Sequence, residues 1–191
     1  MATEARVPTK SRDINQLSTT ERRWFAVYTK FKCEKYVTDH LNKKGIEAYV
    51  PLVTRTRRYA RKIKQYDVPL INCYVFVHIV KGQYIPTLET EYVMKFLRQG
   101  KDLLAIPQQE IDLLMRVAGD VEEVTELNNG AFIPGVEVEV VSGHLTGMRG
   151  KIVERAGKKT FTVELHSIGF ELRIKIDIHL LKPVHTGLHQ N

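Results

Sequence analysis

The sequence predicts an α+β fold, an antiparallel sheet with helices packed against it followed by a small five-stranded β-barrel. Three observations carry this. Apolar periodicity alternates between two and 3.6 residues from about 23 to 119, giving the order β-α-β-β-α-β-α. At Asp120 the composition turns acidic and turn-forming, "DVEEVTELNNG". Beyond it only short alternating strands occur, and five of them in about fifty residues must close on one another to avoid bare edges. The division that follows is a flexible tail over 1–22, a first domain over 23–119, a linker over 120–132, a barrel over 133–184 and a second tail over 185–191.

The elements follow in order. "RRWFAVYT" is an interior strand, with Trp24, Ala26 and Tyr28 on one face and Phe25 and Val27 on the other. "KCEKYVTDHLNKKG" is a helix in which Cys33, Val37 and Leu41 recur every four residues, with Tyr36 and His40 beside them. Lys32, Lys35, Asp39 and Lys43 face water, and Gly45 supplies the left-handed residue that ends it. "IEAYVPLV" reads as a strand, and the continuously apolar "VPLINCYVFVHIV" as the central one. A weak helix over 81–92 is interrupted by Pro86, and "VMKFLRQ" is a further strand. Pro107 opens a helix whose buried face is Ile111, Leu114, Met115 and Ala118, stopped by Gly119. The barrel strands are 136–141, 151–154, 160–166, 170–176 and one near Leu180.

The charge is concentrated. The chain of 191 residues carries a formal net +7, and 13 Lys/Arg against 5 Asp/Glu lie between Glu21 and Leu70, a local +8 that leaves −1 for everything else. Its focus is "TRTRRYARKIK", Thr54 to Lys64, six basic residues around Tyr59 with no acid. It lies between strand patterns and so forms a hairpin or extended loop. A solvated charged loop is the plain reading, but no acid lowers its self-repulsion, and phosphate contact needs cations without base specificity. Arg55, Arg57, Arg58, Arg61, Lys62 and Lys64 are therefore the candidate nucleic-acid contacts.

Catalytic and metal chemistry find no support. Cys33 and Cys73 are the only cysteines, with no CxxC pair, and read as free thiols of a reducing compartment. His185 and His189 have ligand-like spacing but no Cys or acidic partner nearby. No phosphate-binding glycine loop, nucleophile elbow or spaced carboxylate pair occurs, so no catalytic residue, metal or cofactor is assigned. No apolar run suits a membrane span and the N-terminus lacks a signal-peptide pattern, which predicts a soluble cytoplasmic protein; a monomer is expected. One motif stands apart: "PGVEVEVVSGHLTGMRGKIVE", in which the turn holds Gly143, Gly147 and Gly150. A plain hairpin needs fewer glycines, so the turn either only bends the backbone or displays a contact surface.

This order of elements, ending in "EVVSGHLTGMRGKIVE", resembles the NusG family of transcription elongation factors. "WFAVYTKFKCEKYVTDHLNKKGIEAYVP" and "PLINCYVFV" are similar to the family's N-terminal domain, and the glycine turn to its KOW domain, an SH3-like barrel. The resemblance implies binding of RNA polymerase, at the clamp helices of its largest subunit, through Leu70, Ile71, Asn72, Cys73 and Tyr74. Leu70 and Tyr74 match the family's Leu-Phe-Pro-(Gly/Asn)-Tyr wording, whereas Ile71 and Asn72 replace Phe and Pro. Ile71 and Tyr74 can reach one surface only if the chain twists or bulges near Asn72 and Cys73. The resemblance further places the basic hairpin near upstream or non-template DNA, and Lys30, Lys32 and Lys35 where specialised members read exposed bases. Gly143, Leu145, Gly147, Gly150, Ile168 and Phe170 fall where the KOW domain meets a small-subunit ribosomal protein or Rho. The family's Phe-Gly-Arg is Ile168-Gly169-Phe170 here, which disfavours Rho. The altered patch and Arg-rich hairpin imply a specialised antitermination paralogue, of the kind that serves polysaccharide operons. A ribosome-associated or RNA-binding KOW protein is the alternative, and it leaves residues 24–119 unexplained.

Overall fold

The computed structural model describes residues 14–59, 62–127, 135–155 and 158–184. A four-stranded antiparallel sheet forms the first part, built from β1 (Arg23–Thr29), β2 (Glu47–Tyr49), β5 (Tyr74–Ile79) and β6 (Val93–Phe96) in the order β2-β5-β1-β6. β1 and β5, the two strands apolar on both faces, hold the interior positions. One sheet face buries Phe25, Val27, Val75 and Val77 with Val37 and Leu41 of helix α1 (Glu34–Lys43); Leu88 of α2 (Tyr84–Leu88) packs on the same cluster. The other buries Trp24, Ala26 and Phe76 with Ile111, Leu114 and Val117 of α3 (Gln108–Val117).

Three details depart from the sequence expectation. The buried stripe of α3 runs through Ile111, Leu114 and Val117, while Met115 is 49% exposed. A ten-residue helix lying on a sheet buries a narrow stripe, and the i, i+3, i+6 row carries it past Met115. "IEAYVPLV" is not one strand. It breaks at Pro51, which has no N–H for a ladder, into β2 and β3 (Leu52–Tyr59); β3 pairs only with β4 (Lys62–Pro69) to form a separate two-stranded ribbon. Residues 14–17, read as tail, lie along 102–105: Gln16 N–H donates to the Leu103 carbonyl at 3.0 Å and Gln16 Oε1 accepts from Ala105 N–H at 2.7 Å. Residues 1–13 and 185–191, with His185 and His189, lie outside the described residues, as do 128–132 of the linker.

The second part is a six-stranded sheet, order β12-β8-β9-β10-β11-β7. It contains β8 (Val136–Val140), β9 (Arg149–Arg155), β10 (Lys158–Leu165), β11 (Phe170–Ile174) and β12 (Leu181–Pro183), the strands anticipated from sequence. The sixth is β7 (Val121–Glu126), drawn from the segment read as linker and paired with β11. Its register skips Glu122 between the Ile174–Val121 and Arg173–Glu123 pairs. That bulge breaks the period of two and hid the strand. Val138, Val140, Phe161, Val163, Leu165, Leu172 and Ile174 fill the interior of this sheet.

The glycines of the β8–β9 turn do separate jobs. Gly143 and Gly147 take φ of 86° and 82°, which a side chain disfavours. Gly150 lies under β10, where an added Cβ would sit 2.5 Å from the Thr162 carbonyl oxygen and 2.7 Å from the Phe161 ring.

Candidate interaction surfaces

The loop from Leu70 to Tyr74 has the irregularity its sequence required. Cys73 adopts φ 65°, rare for a residue with a side chain. Two hydrogen bonds hold it there: its N–H donates to Glu34 Oε1 at 2.7 Å, and its carbonyl accepts from Thr29 N–H at 2.9 Å. Glu34 is 2% exposed, a carboxylate buried at the start of α1. Sequence reasoning passed over it because an acid in a first helical turn is ordinarily a solvated dipole partner. Burial, and then the nearby Glu34 carboxylate, push the Cys73 thiol pKa up.

The apolar side chains of the loop are covered, while Asn72 is exposed and Cys73 half-buried. Leu70, Ile71 and Tyr74 are 8%, 3% and 8% exposed. The Tyr74 ring meets Phe170 of β11 edge-on, centroids 5.4 Å apart, and its hydroxyl donates to Tyr28 Oη at 2.6 Å. Burial foremost, then the Tyr28 bond, raise the Tyr74 pKa well above the ordinary phenol range, with Glu126 of β7 contributing. Leu70, Ile71 and Tyr74 belong to one continuous apolar cluster with Leu145, Ile168 and Phe170. Polar contacts frame it: Glu110 Oε1 accepts from Ser167 N–H and Oγ at 3.3 and 3.0 Å. One Arg116 Nη2 donates to the His144 and Thr146 carbonyls at 3.2 and 3.0 Å, and His144 Nε2 lies 2.7 Å from Asp120 Oδ2. The first part and the β-sheet of the second thus cover each other. Both sets of residues singled out for partners, Leu70–Tyr74 and Leu145 with Ile168 and Phe170, lie at this junction. Gly143 and Gly147 stay exposed on its rim, and Gly150 is half-buried.

The basic hairpin is a two-faced ribbon. Directly paired residues share a face, and the register joins Arg55 to Tyr66, Arg57 to Lys64 and Arg58 to Ile63. Arg55, Arg57, Lys62 and Lys64 therefore lie on one face, while Arg58 lies on the other with Thr54, Thr56, Gln65 and Asp67. Like charges stand directly opposite at Arg57–Lys64, which costs the isolated ribbon stability. Arg61 lies outside the described residues. At the ribbon root, Thr54 Oγ1 donates to Asp67 Oδ1 at 2.7 Å and Lys35 Nζ donates to the Asp67 carbonyl at 2.9 Å. Lys35 is thus tied to the ribbon, while Lys30 and Lys32 stand exposed on the loop before α1, Lys32 at φ 65°. Beside them are aromatics that local sequence spacing does not assign to this surface: Phe31 is 58% exposed, Tyr36 stacks on His40 at 4.0 Å, and Lys30 Nζ lies 5.9 Å from the Tyr92 ring centroid. Tyr92 comes from the turn before β6, so no local spacing announced the pairing.

The described chain is thus an antiparallel α+β sheet bearing a basic ribbon, joined to a small β-sheet unit with a glycine turn. Residues 22–115 match the family model described as transcription termination factor NusG. The chain belongs to the NusG family. Among solved structures it is similar to the one described as "Domain interaction in Thermotoga maritima NusG", at 18% identity and TM-score 0.52, covering 88% of this chain and 100% of that one. A chain of the "MjSpt4:Spt5 complex conformation B" is 19% identical over 84% of this chain and 96% of its own, at TM-score 0.29. No match was found among curated protein sequences.

Proposed function

We propose that this NusG-family factor acts in elongation and antitermination by binding the RNA polymerase clamp helices through Leu70–Tyr74. The ribbon, with Lys30 and Lys32, contacts upstream or non-template DNA, and the surface around Leu145, Ile168 and Phe170 recruits a ribosomal or other factor. Its place of work is the cytoplasm, as a monomer. The observation that carries the reading is the Tyr74–Phe170 contact, because it covers the apolar loop proposed for polymerase with a residue of the surface proposed for the second partner. A closed molecule holds both surfaces out of use, and opening releases both together. Polymerase and the second partner therefore raise each other's affinity by the same factor, each binding only the open form.

Capture of core RNA polymerase by the purified chain tests this. The wild type should bind polymerase rather than co-elute with ribosomes. Tyr74→Ala, at an aromatic anchor, should lose on the order of 2 kcal/mol of affinity. Binding to ribosomes alone, or a Tyr74→Ala protein that binds polymerase normally once folded, would overturn it.

A further inference from the structure

The junction between the two parts contains a cleft of about 430 Å³ whose lining has opposite charge on its two sides. Arg55 and Tyr74 come from the ribbon root and the apolar loop, and Glu122, Glu123 and Glu126 come from β7. Arg55 belongs to the basic face of the ribbon, the face that carries Arg57, Lys62 and Lys64 outward from it. Glu123 is engaged within its own sheet by Arg173 at 2.6 Å. Glu122 and Glu126 make no ion pair among the described residues, nor does Arg55. Glu122 is the residue skipped by the bulge, and Glu126 pairs with Phe170, the residue that covers Tyr74. The bulge and the junction thus turn β7 so that its unpaired carboxylates share a cleft with the start of the cationic face.

We infer that β7 stands in for a nucleic-acid backbone at the ribbon root, so that duplex DNA on the ribbon and the docked second domain oppose each other, and DNA loosens the docking. The inference rests on the proposed DNA contact and adds its regulation. The physics is through-space attraction between carboxylates and guanidinium, without contact pairs. It is modest, strongest at low salt and screened within about 10 Å at 0.1 M. DNA phosphates brought to the same face meet repulsion from Glu122 and Glu126 while the domain is docked, and escape that repulsion when it leaves. The coupling is reciprocal.

The test uses the full chain and a fluorescent 20-base-pair duplex, with affinity read by anisotropy at low and moderate salt. Glu122→Gln/Glu126→Gln is compared with Glu137→Gln/Glu154→Gln, which removes the same charge from strands that line other grooves of the sheet. The first pair should bind about two- to fivefold tighter than the second at low salt, a gap that closes as salt rises. Adding duplex to the wild type should also speed exchange of the Ser167 amide, whose N–H donates across the junction to Glu110 Oε1. If both pairs tighten binding equally, only bulk charge is at work and the competition is overturned; unaltered exchange overturns it too. If Arg55→Ala/Arg57→Ala/Lys64→Ala binds DNA as the wild type does, the DNA contact itself falls, and the competition with it.

Discussion

Glu34 and Cys73 decide the shape of the apolar loop. A residue with a side chain at φ 65° persists only when its surroundings over-determine it, and here a buried carboxylate accepts its N–H. Glu34→Ala should cost about 1–3 kcal/mol by leaving that donor unpaired, and Glu34→Gln, which keeps an acceptor, should recover most of it in a denaturant melt. Tyr74 reports the closed state directly. Its raised pKa means the docked form favours the neutral phenol. The stability this contributes is complete below the ordinary tyrosine pKa of about 10 and is lost as pH rises through the folded value. Carbon-13 titration of the Tyr74 ring should therefore show no ionisation at pH 10 in the wild type. In Glu110→Ala/Arg116→Ala, which cuts the contacts to Ser167, His144 and Thr146, the midpoint should fall towards the ordinary range. A midpoint unmoved by those substitutions would mean that the second domain does not supply the burial. At Gly150 the outcome is purely structural: Gly150→Ala should lower stability by about 1–3 kcal/mol through overpacking against Thr162 and Phe161.

The ribbon and β7 show what could be read from the sequence and what could not. β1 and β5 were legible because both faces of each are apolar, and the fold then puts Phe25 and Val27 in one cluster and Trp24 and Ala26 in the other. The ribbon was legible as a cationic insert between strands. Its sidedness was not, because that depends on the pairing register of Arg55 with Tyr66, which the turn sets. β7 escaped because a bulge at Glu122 puts Val121 and Val124, three residues apart, on the inner side among acids. The contact between Tyr74 and Phe170, 96 positions apart in sequence, has no local signature at all. The sidedness gives its own prediction. Arg57→Ala/Lys64→Ala should weaken duplex binding and flatten its log–log salt dependence by up to about 0.9 for each phosphate interaction removed. Arg58→Ala, on the opposite face, should do neither; equal effects from both faces would mean that the ribbon is a diffuse charge cloud rather than an oriented surface.

At the scale of the molecule the question is how firmly the two parts hold each other. The junction combines a Tyr74–Phe170 edge contact, an apolar cluster, and hydrogen bonds from Ser167 to Glu110 and from Arg116 to two carbonyls of the glycine turn. Glu110 Oε2 is buried there without a partner, which subtracts from the closed state. A hydrogen bond to a charged group contributes about 1.5–3 kcal/mol in such a setting. Loss of the Arg116 pair alone should therefore shift an open–closed equilibrium by about tenfold or more. Arg116 is an exposed residue of α3, so Arg116→Ala leaves both cores intact. The expected result is tighter capture of polymerase, together with tighter capture of the C-terminal partner, and no loss of melting temperature in either part. If Arg116→Ala strengthens one partner and not the other, the two surfaces are not released by a single opening. If it strengthens neither, the junction is a fixed interface, and polymerase binds elsewhere than the Leu70–Tyr74 loop.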